Sequence, residues 1–129
     1  MIYPPVLRLL SIVAPDEFPF QPHWKMSETH QVFWTHCPTI DHLYPLARGG
    51  GHIESNWVTT SMNHNSAKGL RTLDEMGWTL HEAGDLQKWD GLSSLLFESR
   101  SKLPEDPYIE QWLNAYERAR GNPADPIDI

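Results

Sequence analysis

Residues 41–69, DHLYPLARGGGHIESNWVTTSMNHNSAKG, decide how the rest of the chain is read. They open on Asp41-His42, pass Pro45 and three consecutive glycines (Gly49 to Gly51), and reach Asn56 just ahead of Trp57-Val58-Thr59-Thr60. A short segment then carries Asn63, His64, Asn65 and Lys68 and stops at Gly69. The composition predicts a strand over residues 38–44 and a second over residues 56–60, because β-branched and aromatic side chains suit a pleated surface. A Gly-rich loop, 47–55, lies between them. Thr60 or Ser61 can cap a helix to about Lys68, with Gly69 as its C-terminal stop. On a regular strand Ile40 and His42 share one face while Asp41 and Leu43 share the other. Bringing Asp41 and His42 to one site therefore predicts a bend or bulge near Asp41.

In residue order and spacing the stretch resembles the HNH (ββα-metal) endonuclease family. Asp41-His42 match the pair that ends the family's first strand, Asn56 the asparagine that opens the second, and Asn65 the last residue, which the helix supplies. Asn56 lies fifteen positions after Asp41 and Asn65 nine further on; Pro45, the glycine run, Asn56-Trp57-Val58-Thr59 and Lys68-Gly69 agree as well. The resemblance covers about 30 of the 129 residues. It implies an α+β fold: a small ββα-metal motif with flanking helices and an aromatic-rich N-terminal segment. It also implies a metal-dependent hydrolase, an endonuclease that cuts nucleic-acid phosphodiester bonds, with DNA as the first substrate and RNA as the alternative. One feature departs from the family. Many members carry two Cys-x-x-Cys pairs around a structural zinc, whereas Ser61 and His64 stand where the later pair would be and the chain has a single cysteine. Cys37 with His36, His64 or His23 has no convincing ligand spacing, so structural zinc is not expected.

Cutting a phosphodiester requires a base for water, charge to offset the phosphate, and stabilisation of the leaving oxygen. His42 is the candidate general base, since an ordinary imidazole titrates near neutrality. A lone histidine is more often structural; the surrounding constellation reverses that reading. The resemblance implies that a backbone carbonyl orients the ring. Asp41 and Asn65 are candidate ligands for Mg²⁺, with Mn²⁺ as a substitute, because one carboxylate and one amide oxygen leave most of an octahedral shell to water and phosphate. The resemblance implies that Asn56 joins the catalytic set by tying down the loop and so fixing His42, a role its amide suits because it both donates and accepts. Lys68, one helical turn past Asn65 and on its face, and Arg48 are candidate phosphate contacts, with Arg71 a weaker one. His64 points about 100° away from Asn65 on a helix and is an alternate ligand if the register shifts. His52 receives no role.

At 129 residues the chain is expected to be one domain. It divides into a motif core (36–69), an N-terminal brace (1–35), a C-terminal helical part (72–120) and a loose tail (121–129). The net charge of −7 argues against a general nucleic-acid coat protein. Most of the acidic excess follows residue 72, leaving Arg48, Lys68 and Arg71 beside the motif. DNA binding on this balance would be weak without a metal, an accessory protein or a homodimer. An alternative reading is a non-cleaving HNH-like module that binds nucleic acid or a protein. The single Cys37 allows no intrachain disulfide and suits a reducing compartment, so a cytoplasmic location is expected. Residues 6–14 are too short to span a membrane and contain Arg8, and no basic region precedes them, so neither membrane anchor nor signal peptide is expected.

Outside the motif, Pro4-Pro5 and the mixed run after them predict an extended start over residues 1–14. Three prolines make residues 15–24 a loop. Residues 27–35 read either as a helical turn capped by Ser27 or as a buried segment. Thr72 to Glu75 spell a capping box for a helix ended by Gly77, and Trp78-Thr79-Leu80 a brief strand. Residues 90–102 predict a helix with Leu92, Leu95, Leu96 and Ser99 on one stripe. Asp106-Pro107 should start another, with Ile109, Trp112, Leu113 and Tyr116 as its core face to about Arg120. Trp24, Trp34 and Trp57 are core candidates, and the aromatic segment 18–34 and the C-terminal helices should brace the motif.

Overall fold

Two strands carry the motif in a computed structural model that describes residues 1–121; the tail expected to be loose lies, from residue 122 on, outside the described residues. β1 (Pro38–His42) and β2 (Trp57–Ser61) pair antiparallel, with Pro38 opposite Ser61, Ile40 opposite Thr59 and His42 opposite Trp57. The pairing is regular through Asp41, which faces Val58, so the expected bulge does not form. Its physical reason is that the ladder continues past the strand: the Leu43 amide donates to the Asn56 carbonyl at 2.9 Å, and the chain bends after His42 rather than at Asp41. Asp41 and His42 therefore keep the opposite faces that strand alternation dictates.

Among the described residues the chain is mixed α+β, with this small sheet and six α-helices. α1 spans Pro4–Val13, α2 Gln31–His36, α3 Met62–Lys68, α4 Leu73–Met76, α5 Ser93–Glu98 and α6 Pro107–Gly121. α3 leaves β2 directly: the Ser61 hydroxyl accepts the His64 amide at 3.2 Å, which settles the cap between Thr60 and Ser61, and Gly69 ends the helix at φ 53°. α3 packs on both strands and on α2. In α2 the His30 Nδ1 accepts the Val32 amide at 3.1 Å, so the helical half of the ambiguous 27–35 segment starts three residues later than a Ser27 cap would place it. Phe20, Trp24, Phe33 and Trp34 form a run of aromatic contacts with ring centroids 5.0 to 6.5 Å apart, pinning the proline loop to buried Phe33.

The second packing centre is helical. Leu96, Ile109 and Leu113 are buried together under Tyr3, Val6, Leu9 and Phe97. The expected extended start is corrected here: residues 4–13 are helical. Pro4 and Pro5 occupy the first turn, where a helix has no use for their missing N–H groups and a fixed φ helps. Arg8 leaves the apolar face to bond Asp106 at 2.8 Å. Asp106 also caps α6 by accepting the Ile109 amide at 3.1 Å. The main partner of α6 is α1, so the C-terminal helices brace the N-terminal helix rather than the sheet. The helix expected over 90–102 is shorter, because Leu92 is left-handed (φ 70°) and α5 starts at Ser93; Leu95 is exposed and a 3₁₀ turn, Arg100–Lys102, ends the segment. Among the described residues Trp78 to Leu80 pair with no strand: the Trp78 amide goes back to the Leu73 carbonyl at 2.9 Å, closing α4 instead. No helix among the described residues is long and apolar enough to cross a membrane.

Candidate functional site

The loop between the strands is built on Asn56. Its side-chain oxygen accepts the Tyr44 amide at 2.8 Å, and its amide donates to the carbonyls of Tyr44 (2.9 Å) and Gly51 (2.8 Å). One side chain thus fastens the exit of β1, the far side of the glycine run and the entry to β2. Gly50 makes this possible: a Cβ there would stand 2.0 Å from the Tyr44 carbonyl oxygen. Gly49, at φ 93°, ends the short turn over Leu46–Arg48.

His42 sits at the end of β1, half-buried. Its Nε2 lies 3.1 Å from Nδ1 of His52, the residue after the fastened Gly51. The His52 ring stands between His42 (centroids 5.3 Å apart) and Trp57 (5.0 Å). The orienting partner that the structure gives His42 is therefore another imidazole, in place of the backbone carbonyl expected from the family. Sequence reasoning assigned His52 nothing. The available signal was its place directly after a glycine run that must fold back on the strand end.

Asp41, on the opposite face, is 8 % exposed. Its Oδ1 accepts the His42 amide at 2.8 Å and its Oδ2 meets the Lys68 ammonium at 3.0 Å. Lys68 is 2 % exposed and also donates to the His42 carbonyl at 2.7 Å. Expected on the surface, Lys68 is an internal strut that crosses from α3 to β1. Asn65 is half-buried one turn earlier, with its side-chain amide 3.5 Å from the Ile40 carbonyl, too long to hold it firmly. Arg48 is exposed and already engaged: it bonds Glu75 at 2.6 Å and the Leu70 carbonyl at 3.2 Å and lies over the Tyr44 ring. Arg48 and the Thr72 backbone together pull the Glu75 carboxyl down to about 2, and Glu75 in turn raises the Arg48 guanidinium. Arg71 turns back to the Ala67 carbonyl at 2.8 Å. His64 caps its own helix start through Ser61 and packs edge-on against Trp78.

The structure thus forms two groups, His42 with His52 and Asp41 with Lys68, separated by the plane of the sheet. The second group opens on a groove of about 820 Å³ lined by Val58, Thr60, His64, Trp78 and the exposed strap around His81. An apolar cavity of about 480 Å³ lies elsewhere, between α1 and the aromatic loop. Cys37 lines it, and burial raises its thiol.

The donor types at Asp41 and Asn65 suit a hard cation: a carboxylate offers about four lone-pair sites, of which two are used here, and the amide oxygen adds another. No three His, Cys, Asp or Glu side chains gather among the described residues. A divalent ion would have to share Asp41 with the Lys68 ammonium. Comparison with protein-family models, with curated proteins and with solved structures returned no match.

Proposed function

We propose that the chain is a metal-dependent endonuclease of the HNH (ββα-metal) type, hydrolysing phosphodiester bonds of DNA, with RNA as the second candidate. The observation that carries this reading is the fastened loop: Asn56 bonds Tyr44 and Gly51 across the strand end where His42 presents a half-buried imidazole. His42 engages His52 through Nε2 and keeps Nδ1 for water. A proton passes from water to Nδ1, the water oxygen attacks phosphorus in line, and the P–O3′ bond breaks. Solvent protonates the leaving oxygen, giving a 5′-phosphate and a 3′-hydroxyl. Asp41 and Asn65 would hold Mg²⁺ or Mn²⁺, whose charge offsets that developing on the phosphate. Because Asp41 and His42 leave opposite faces of β1, this reading requires the phosphate to lie at the end of the strand, where both faces are within reach. Arg48 reaches a phosphate by exchanging Glu75 for it, while Lys68 supports Asp41 and the His42 backbone from inside. With a net charge of −7, firm DNA binding draws on a homodimer or an accessory protein. The proposed location is the cytoplasm.

The test is a supercoiled-plasmid assay with Mg²⁺, Mn²⁺ or EDTA beside His42→Ala. The expected result is nicked or linear product that needs metal, with the variant at least about 100-fold slower, as loss of a general base predicts. Folded protein that leaves plasmid, single-stranded DNA, branched DNA and RNA intact at low salt overturns the reading. A non-cleaving binding module is the second reading. The Lys68 ammonium favours it, since it neutralises Asp41 without a metal.

A further inference from the structure

His42 and His52 meet through unlike nitrogens, Nε2 of the first and Nδ1 of the second, 3.1 Å apart. A neutral N–H···N contact needs one hydrogen and one lone pair. If His52 donates, its hydrogen sits on Nδ1, and His42, accepting on Nε2, must carry its own on Nδ1. Both rings then adopt the tautomer that free histidine disfavours. If His42 donates from Nε2, His52 accepts on Nδ1 and carries its hydrogen on Nε2. Both rings then adopt the tautomer that free histidine prefers. The pairing of unlike nitrogens therefore selects one arrangement, and in it the His42 Nδ1 has a lone pair.

We propose that His52 is a positioning residue that fixes the tautomer and ring orientation of His42. Three features hold it to that task. Its backbone follows Gly51, whose carbonyl takes the Asn56 amide at 2.8 Å. Its ring leans on Trp57, 5.0 Å away, and Trp57 is paired across the sheet with His42 itself. The Trp57 side chain is itself partly buried, with its indole nitrogen shielded from solvent. Asn56 thus acts on His42 at one remove, by placing His52.

The hydrogen-bond assignment is independent of catalysis; its effect on rate rests on the nuclease reading above. The first measurement is NMR of ¹⁵N-histidine-labelled full-length protein in mildly alkaline buffer. The expected result is a slowly exchanging hydrogen bonded to His42 Nε2, with scalar coupling across to His52 Nδ1. A hydrogen resident on His52 Nδ1, or no coupling between the rings, overturns the proposal. Two variants then separate the nitrogen from the ring. His52→Phe keeps the contact with Trp57 and loses the acceptor; His52→Asn loses the ring and keeps an acceptor near the Nδ1 position. The slow hydrogen on His42 should vanish in His52→Phe and persist in His52→Asn. On DNA, His52→Phe should lower kcat on the order of 10-fold at unchanged KM, with partial recovery in His52→Asn, as for other partners that orient a reacting imidazole. Full kcat in His52→Phe overturns the catalytic half. If wild-type protein shows the coupled hydrogen and cuts nothing, the nuclease reading fails and the hydrogen-bond assignment stands.

Discussion

Lys68 is the residue whose environment departs furthest from what the sequence suggested. A lysine one turn past Asn65 on a short helix reads as a solvated charge, because helical spacing tells which residues share a face but not which face meets the strand. Here that face meets β1, and the ammonium joins Asp41 and the His42 carbonyl inside the fold. Removing one member of such a pair strands a charge, so Lys68→Met should cost about 3–5 kcal/mol. Asp41→Asn in the same background should recover part of it, which a double-mutant cycle in denaturant would measure. The same variant examines the cation seat. With the ammonium gone, Mg²⁺ or Mn²⁺ should raise the melting temperature of Lys68→Met more than that of wild type, relative to EDTA. Equal shifts in calorimetry would deny Asp41 a cation-binding role. His52 escaped notice for a related reason: its partner lies ten positions back, and only the folded loop brings them together.

At the level of elements, what could be read depended on how local the determinant was. The two strands, the Ser61 cap, the Gly69 stop and the Thr72–Glu75 capping box are decided within a few residues, and the structure has all of them. α1 was misread because prolines usually oppose helix, yet at the first turn they favour it. The strand expected at Trp78 to Leu80 failed because strand formation needs an edge to pair with, and the Trp78 amide was already committed to α4. The absence of a bulge at Asp41 likewise reflects a long-range choice, the extra ladder bond between Leu43 and Asn56. The loop joining the strands yields a sharp test. Gly50→Ala must push against the Tyr44 carbonyl, 2.0 Å from the new carbon, whereas Gly84→Ala meets nothing within 4 Å. The first should lose about 1–3 kcal/mol, in the range of overpacking, and speed exchange of the Tyr44 amide, which donates to Asn56. The second should leave both unchanged.

The whole molecule is held together by contacts remote in sequence. The Ile2 amide bonds the His36 carbonyl at 3.0 Å, the Tyr3 amide bonds Gly91 at 2.8 Å, and the Tyr3 hydroxyl donates to the Trp112 carbonyl at 2.8 Å. Burial, with Tyr116 and Tyr108 nearby, raises the Tyr3 hydroxyl to about 12, so it stays a donor through the physiological range. Arg8 and Asp106 add the charged link between α1 and α6, and the Arg8 guanidinium holds the Asp106 carboxyl below its usual value. A depressed carboxylate stabilises fully above its unfolded value, ~3.9, and that contribution is lost as pH falls through the folded value. Asp106→Ala should therefore be about 1–2 kcal/mol less stable than wild type at neutral pH, from the lost cap and ion pair. The gap should narrow as pH drops below ~3.9, read from melting temperatures along a pH series. Those same remote contacts set an order of events during synthesis. β1, β2 and α3 complete one another within residues 38–68, so closing that unit spans little chain. α1 must wait for α6, and Tyr3 for Trp112, 109 positions later. On the ribosome the strand-and-helix unit that carries His42 can close early, while the face of α1 that α6 covers stays open until nearly all of the described chain has been made.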